Sequence, residues 1–152
     1  MEDLGYDLES TRVLWAAAAT IATSVIAVLA VREVAVRILQ PDPAFEPFTV
    51  APPIVDTVLC TVIAIFVFVR IAAYPNPVRT WRIVATLVLI LSFIPDVLLA
   101  TSHGMGATWP EACVLMMMHV VVWVICATLL PALAITKHAR KVQPPDRPLS
   151  IL

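Results

Sequence analysis

The sequence is poor in charge and in glycine, and both shortages restrict the class of protein. Only 14% of the 152 residues are charged, whereas 61% are hydrophobic. Soluble domains carry about 25% charged and about 45–50% apolar residues, so the composition excludes a water-soluble globule and also a disordered chain. The three glycines fall outside the long apolar runs, and ten Lys/Arg against eleven Asp/Glu leave no basic excess for binding nucleic acid. This composition is typical of a protein that crosses a membrane several times.

Motifs that would identify an enzyme or a metal site are also missing from the sequence. The three cysteines, Cys60, Cys113 and Cys126, form no CxxC pair, and there is no phosphate-binding glycine loop, nucleophile elbow or zinc-protease helix. Three consecutive methionines precede His119, but neighbouring residues of a helix point in different directions and cannot bind one copper ion together. The sequence therefore predicts no cofactor and no metal, and it favours a non-catalytic protein.

Four long apolar runs predict four transmembrane helices, because a helix needs about 20 apolar residues to cross a bilayer. The runs are continuously apolar, whereas the strands of a membrane barrel alternate between apolar and polar residues. They cover residues 13–31, 48–69, 83–101 and 112–136, and the second and third each contain one aspartate. The predicted fold class is therefore all-α: a four-span transmembrane helical bundle with antiparallel, up-down topology.

Local signals predict where these helices end. Glu33 and Arg37 stand four residues apart after the first apolar run, a spacing that supports a helix, and we expect that helix to continue to near Pro41. Thr108 and Glu111 provide a cap and a dipole-matched acid for the fourth helix. We predict one membrane domain over residues 1–152 with short terminal tails and spans at approximately 13–39, 52–70, 83–101 and 110–136.

The distribution of lysine and arginine predicts the orientation in the membrane. Only Arg32 and Arg37 lie on the side of the first and third loops. The side shared by the two termini and the second loop holds the other eight, which are Arg12, Arg70, Arg79, Arg82, Lys137, Arg140, Lys141 and Arg147. Because cytoplasmic segments carry the excess of Lys and Arg, we expect both termini in the cytoplasm, and residues 137–141 form a predicted basic anchor.

Few ionisable side chains lie within the predicted spans, and such groups usually face the bundle interior or a water-filled cavity. Asp56, Asp96 and His119 all fall in the outer half of their spans. Together with Arg32 and Glu111, which lie nearer the outer helix ends, they form a candidate polar vestibule. Asp96 and His119 are its deepest titratable pair, and such a pair could relay protons, bind a cation or serve as general acid and base.

A simpler alternative is that these side chains only satisfy one another, since every polar group at that depth needs a partner. The two aspartates, Asp56 and Asp96, would then bond to Arg32, to Arg37 or to helix N–H groups. His119 would bond to a neighbouring carboxylate. In both interpretations we expect Asp96 and His119 to face the same interior space. The reason is that, beyond the residues at its outer end, span four has only one strongly polar side chain in its outer half, and that side chain is His119.

Three short segments carry a resemblance to a known family. They are Leu91-Ser-Phe-Ile-Pro-Asp96 late in span three, Met118-His-Val-Val-Val122 in span four and Leu130-Pro-Ala-Leu133 after it. With the proline-rich first loop and the span lengths, the chain resembles, over about residues 12–135, an uncharacterised family of small four-helix bacterial membrane proteins, largely actinobacterial. The resemblance implies a four-helix fold and a bacterial membrane location. Because that family has no assigned activity, it implies no catalytic residues.

We therefore expect a small integral membrane protein that binds a partner or a lipophilic ligand without catalysis. The alternatives left open are a proton- or cation-coupled small transporter and a membrane enzyme, both using the outer-leaflet Asp/His cluster. The expected partners are the lipid bilayer and a membrane protein or a second copy of the chain, with no nucleic acid. Neutral replacement of Asp56, Asp96 and His119 separates these hypotheses, because a binding scaffold that still folds would tolerate it, whereas a carrier or an enzyme would lose activity.

Overall fold

Four helices make up most of the protein, as the apolar runs predict. The computed structural model describes residues 6–7, 10–42, 45–103 and 106–137, with side chains described for residues 11–42, 45–103 and 106–135. The helices are α1 (Ser10–Leu39), α2 (Ala51–Ile71), α3 (Pro77–Thr101) and α4 (Trp109–Ala134). Each is long and apolar enough to cross a membrane. The predicted all-α fold with four helices is confirmed.

Helix α1 continues beyond its apolar run, as predicted, and ends next to a proline. Its last residue is Leu39, and Gln40 has a φ of 46° in the left-handed region before Pro41. This fits the rule that a residue before proline avoids the right-handed α region. The extension is supported by Arg37, whose guanidinium lies 3.0 Å from the Glu33 carboxylate one turn earlier.

Helix α4 begins with the capping arrangement that its sequence predicts. The Glu111 carboxylate accepts a hydrogen bond of 3.0 Å from the backbone N–H of Thr108, and the Thr108 hydroxyl donates to the same carboxylate. Pro110 occupies the first turn, where a missing N–H breaks no helix hydrogen bond. The acid therefore satisfies a group that would otherwise be unpaired at the helix start, and it lies at the positive end of the helix dipole.

The two ends of the described chain meet at one end of the bundle. Tyr6–Asp7 (β1) pairs antiparallel with Thr136–Lys137 (β2), with Tyr6 opposite Lys137. We call this end, which also carries the α2–α3 loop of residues 72–76, the proximal end. The opposite, distal end carries the described residues of the other two loops, which are 40–42 and 45–50 of the first loop and 102–103 and 106–108 of the third. The predicted basic anchor at residues 137–141 lies outside the described side chains.

The helices do not all pack equally. Helix α1 packs most extensively against α4, α4 also packs against α3, and α2 packs mainly against α1, while α2 and α3 share few contacts. The α1 surface that faces its neighbours is made of small side chains, because Ala16, Thr20 and Ser24 are fully buried at intervals of four residues. Small residues let helix backbones approach closely. The Thr20 hydroxyl donates to the carbonyl of Ala16 at 2.7 Å, so its burial leaves no unpaired group.

Two apolar clusters hold the two ends of the bundle. At the proximal end, the rings of Phe68 from α2 and Trp81 from α3 meet edge to face with centroids 5.4 Å apart. The Trp81 indole also donates to the carbonyl of Cys126 on α4 at 3.1 Å. The distal cluster contains Phe45 and Phe48 of the first loop with residues of α1, α3, α4 and the third loop, and none of its described members comes from α2. Helix α2 is thus joined to α3 at the proximal end and is absent from the distal cluster.

Candidate functional site

Asp96 and His119 both lie on the inward faces of their helices. Asp96 belongs to the buried stripe of α3 that contains Ala85 and Ala100. His119 stands seven residues, or close to two turns, from each of Ala112 and Cys126, which are both buried on α4. Helical spacing therefore directs the imidazole towards the interior of the bundle and towards α3.

The two side chains are in contact, as predicted. Nε2 of His119 lies 3.3 Å from Oδ2 of Asp96. The contact has ion-pair distance but not hydrogen-bond geometry, and no described group donates a hydrogen bond to Oδ2.

The side chain of His119 is partly exposed, although it faces the interior of the bundle. Its side chain is 38% exposed, whereas that of Asp96 is 8% exposed. The sparse contact between α2 and α3, and the absence of α2 from the described distal cluster, explain how an inward-facing side chain keeps this access. This sparse packing leaves His119 and Asp96 facing the space between the distal halves of α2 and α3. We call it the lateral opening.

Trp123 is a third polar group at this site, and the sequence interpretation did not select it. It lies on α4 four residues after His119, which places it one turn deeper on the same face. Its Nε1–H is buried and has no hydrogen-bond acceptor among the described groups. The available sequence signal was the four-residue spacing from His119, but tryptophan in a membrane helix is common for many reasons and does not by itself indicate a site.

The other three residues of the predicted vestibule lie apart from this pair. The Arg32 guanidinium donates from Nε to the carbonyl of Phe48 at 2.7 Å and so holds the first loop. Glu111 is engaged with Thr108 at the start of α4. Asp56 is exposed on α2, and no described group bonds to it. Among the described side chains, the structure therefore brings together Asp96 and His119 and leaves the other three in separate places.

A second polar cluster lies deeper in the bundle and was also missed. Ser24 of α1, Thr61 of α2 and Cys126 of α4 are buried, and the sulfur of Cys126 is within interaction distance of both hydroxyls. Neither hydroxyl meets hydrogen-bond geometry with a described group. Short polar side chains on three different helices form no motif, so only the packing could reveal them. Within the described part of the chain, no three His, Cys, Asp or Glu residues are arranged to hold a metal ion.

Comparison with known proteins identifies the family. The profile of a family of unknown function, DUF6069, matches residues 7–139. The chain belongs to this family. The match includes all four helices and both residues of the Asp96–His119 pair. It confirms the predicted membership of an uncharacterised family, while the bacterial origin stays an expectation.

The family assignment adds no chemistry of its own. DUF6069 is defined as a family of unknown function, and no curated protein and no solved structure matches the chain. Four helices of membrane-spanning length and composition indicate a multi-pass membrane protein. Any activity must therefore be argued from the geometry of the lateral opening.

Proposed function

We propose that this DUF6069 protein is a non-catalytic membrane bundle that binds a lipophilic ligand at the lateral opening. The observation that carries the proposal is the position of His119, which faces inward on α4 and yet is 38% exposed. An opening between two membrane helices is accessible from the acyl chains of the lipid, so an apolar molecule can enter it without passing through water. A mainly apolar site with a few placed polar groups is the usual composition of a ligand pocket.

The surroundings of the opening support an apolar ligand. The nearby α3 wall contains half-buried Ser92, whose hydroxyl is already engaged with the carbonyl of Leu89 at 2.7 Å. The remaining polar groups are Asp96, His119 and Trp123, and the helices around them are strongly apolar. A ligand would thus meet apolar side chains over most of its length and polar groups at one point.

The proposal includes a location and an orientation. We propose the cytoplasmic membrane of a bacterium, with the proximal end in the cytoplasm and the distal end outside. The support is the excess of Lys and Arg on the side of the proximal end, eight against two, since cytoplasmic segments carry this excess. The lateral opening would then face the outer leaflet.

Photo-crosslinking with a long-chain probe that carries a diazirine tests the binding site. We expect labelling at His119 and Trp123 that saturates and falls when unlabelled long-chain competitor is added. Labelling at the more exposed positions Met117 and Val124 should rise in proportion to probe concentration, because we expect those positions to face bulk lipid. Labelling confined to the outward positions, without saturation, would contradict the proposal.

A blocking variant adds a matched control to this experiment. Ser92 is half-buried one turn from Asp96, so Ser92→Phe should fill the opening and remove the saturable labelling. Ser102→Phe introduces the same ring at the exposed end of α3 and should leave the labelling unchanged. Equal labelling in both variants would mean that the probe does not occupy the opening.

The Asp96–His119 pair favours a second candidate, a proton- or cation-coupled carrier. A carboxylate that is mostly buried and in contact with an imidazole is an arrangement found in membrane proton relays. In liposomes that enclose a pH-sensitive dye, a carrier would collapse an imposed gradient, Asp96→Asn would abolish the signal and Asp56→Asn would retain it. A binding protein would give no signal in any of the three forms.

A further inference from the structure

We propose that the ligand of the lateral opening has a hydroxyl head group that binds between Asp96 and Trp123; this inference rests on the proposed function. Oδ2 of Asp96 is a buried acceptor to which no described group donates, and Nε1–H of Trp123 is a buried donor with no described acceptor. Buried polar groups are nearly always hydrogen-bonded in proteins. One unpaired donor and one unpaired acceptor in the same region define what a ligand must supply.

The two residues that carry the unpaired atoms are both neighbours of His119. His119 contacts Asp96 directly, and Trp123 follows His119 by one turn on the inward face of α4. Helices α3 and α4 are consecutive and antiparallel, so the next turn of α4 lies opposite the preceding turn of α3, which carries Ser92. The Ser92 hydroxyl is bonded within its own helix and does not compete for either atom.

The chemistry of the two atoms selects among lipid head groups. A hydroxyl donates one hydrogen bond and accepts others, so it can donate to Oδ2 of Asp96 and accept from the Trp123 indole at the same time. An ester or ketone carbonyl only accepts and leaves Asp96 unpaired, whereas an ammonium group only donates and leaves Trp123 unpaired. A fatty-acid carboxylate has no hydrogen to donate and also leaves Asp96 unpaired. The simplest ligand that satisfies both atoms is an apolar chain or ring system with a terminal hydroxyl.

Two probes of the same length separate these possibilities. Oleyl alcohol can donate and accept, whereas oleyl methyl ether has the same chain and can only accept. The protein in lipid nanodiscs gives one indole N–H signal per tryptophan in a nitrogen–proton correlation spectrum, and Trp123→Phe identifies the signal of Trp123. We expect oleyl alcohol to shift that signal downfield in a saturable way, and the ether to give a shift that is smaller and needs more probe.

Variants at the two atoms test the assignment. A neutral amide is a weaker acceptor than a carboxylate, so Asp96→Asn should raise the Kd for oleyl alcohol by roughly tenfold and should not change the Kd for the ether. Asp56→Asn makes the same replacement at an exposed position and should leave both unchanged. When crosslinking is used to measure binding, Trp123→Phe should weaken the binding of the alcohol. Trp109→Phe, at the exposed start of α4, should leave it unchanged.

The outcomes distinguish this inference from the proposed function. If the alcohol and the ether bind equally and Asp96→Asn changes neither Kd, the opening binds apolar chains without selecting for a hydroxyl. The inference is then wrong, while the proposed function stands. If neither probe gives a saturable effect on Trp123 and the diazirine probe labels only outward positions, both are wrong. If Asp96→Asn loses the native indole spectrum, Asp96→Glu is used in its place. That variant keeps the carboxylate and should retain the preference for the alcohol.

Discussion

At the residue scale, the membrane-embedded polar groups are few and differ sharply in their surroundings. Asp96 is buried against His119, whereas Asp56 is exposed. The two aspartates look alike in the sequence, because each interrupts an apolar run near its outer end. Their difference arises from helix rotation: Asp96 lies on the buried stripe of α3, while Asp56 lies beside the buried stripe of α2, which contains Pro53 and Thr57.

A double-mutant cycle measures the interaction of Asp96 with His119. We expect the effects of Asp96→Asn and His119→Gln on the free energy of unfolding to be non-additive by about 0.5–3 kcal/mol, because the side chains are in contact. The pair Asp56→Asn and His119→Gln should be additive within about 0.5 kcal/mol. Unfolding in mixed detergent micelles, followed by circular dichroism, gives the four free energies. Additivity at Asp96 would show that the contact contributes nothing to stability.

At the scale of single elements, the ends of the helices are set by a few residues. Pro110 and the Thr108–Glu111 contacts begin α4, and Gln40 before Pro41 ends α1. These boundaries were predictable because the capping and proline rules act through neighbouring residues in the chain. Helix α4 continues through Pro131, as the apolar run of residues 112–136 predicts, although proline removes one helix hydrogen bond there.

Replacing Gln40 with glycine is expected to stabilise the end of α1. A non-glycine residue in the left-handed region costs about 1–2 kcal/mol, and glycine removes this cost at an entropic penalty of roughly 0.5–1 kcal/mol. Gln40→Gly should therefore raise the free energy of unfolding by about 0.5–1 kcal/mol, visible as a higher Tm in detergent. Gln40→Ala retains the strain and should give no gain, and a lower Tm for the glycine variant would contradict the argument.

The first loop depends on Arg32 for its position. The charged hydrogen bond from Arg32 to the Phe48 carbonyl is part-buried, and such bonds contribute about 1.5–3 kcal/mol. Arg32→Gln should loosen the loop and increase the rate of proteolytic cleavage within residues 40–50. Arg37→Gln removes only an exposed pair with Glu33, worth about 0.2–0.5 kcal/mol, and should leave cleavage unchanged. Equal cleavage in the two variants would mean that Arg32 does not hold the loop.

At the scale of the whole molecule, the sequence predicted the number and direction of the helices but not their arrangement. All four are similarly apolar, so the pattern could not indicate that α1 packs most closely on α4 while α2 and α3 share few contacts. The Asp96–His119 contact was predictable because span four offers few polar partners. The lateral opening and the role of Trp123 were not, since both follow from the unequal packing of helices.

The sidedness of the bundle is a prediction that cysteine labelling can check. Ser102 is exposed at the distal end and Asn76 is exposed at the proximal end. A membrane-impermeant maleimide added to intact cells should modify Ser102→Cys and spare Asn76→Cys, because the excess of Lys and Arg predicts that the proximal end is inside. The unsubstituted protein controls for Cys60 and Cys113, which are also exposed. The reverse pattern would overturn the orientation.

The long first helix has a consequence for how the protein sits in bilayers of different thickness. The exposed charged residues Glu33 and Arg37 follow its apolar run, so we expect them to form a collar that resists being drawn into the hydrocarbon. Because α1 packs most closely on α4, the collar fixes the depth of His119 below the distal surface. We therefore expect the lateral opening to keep a similar depth below the distal surface in bilayers of different thickness.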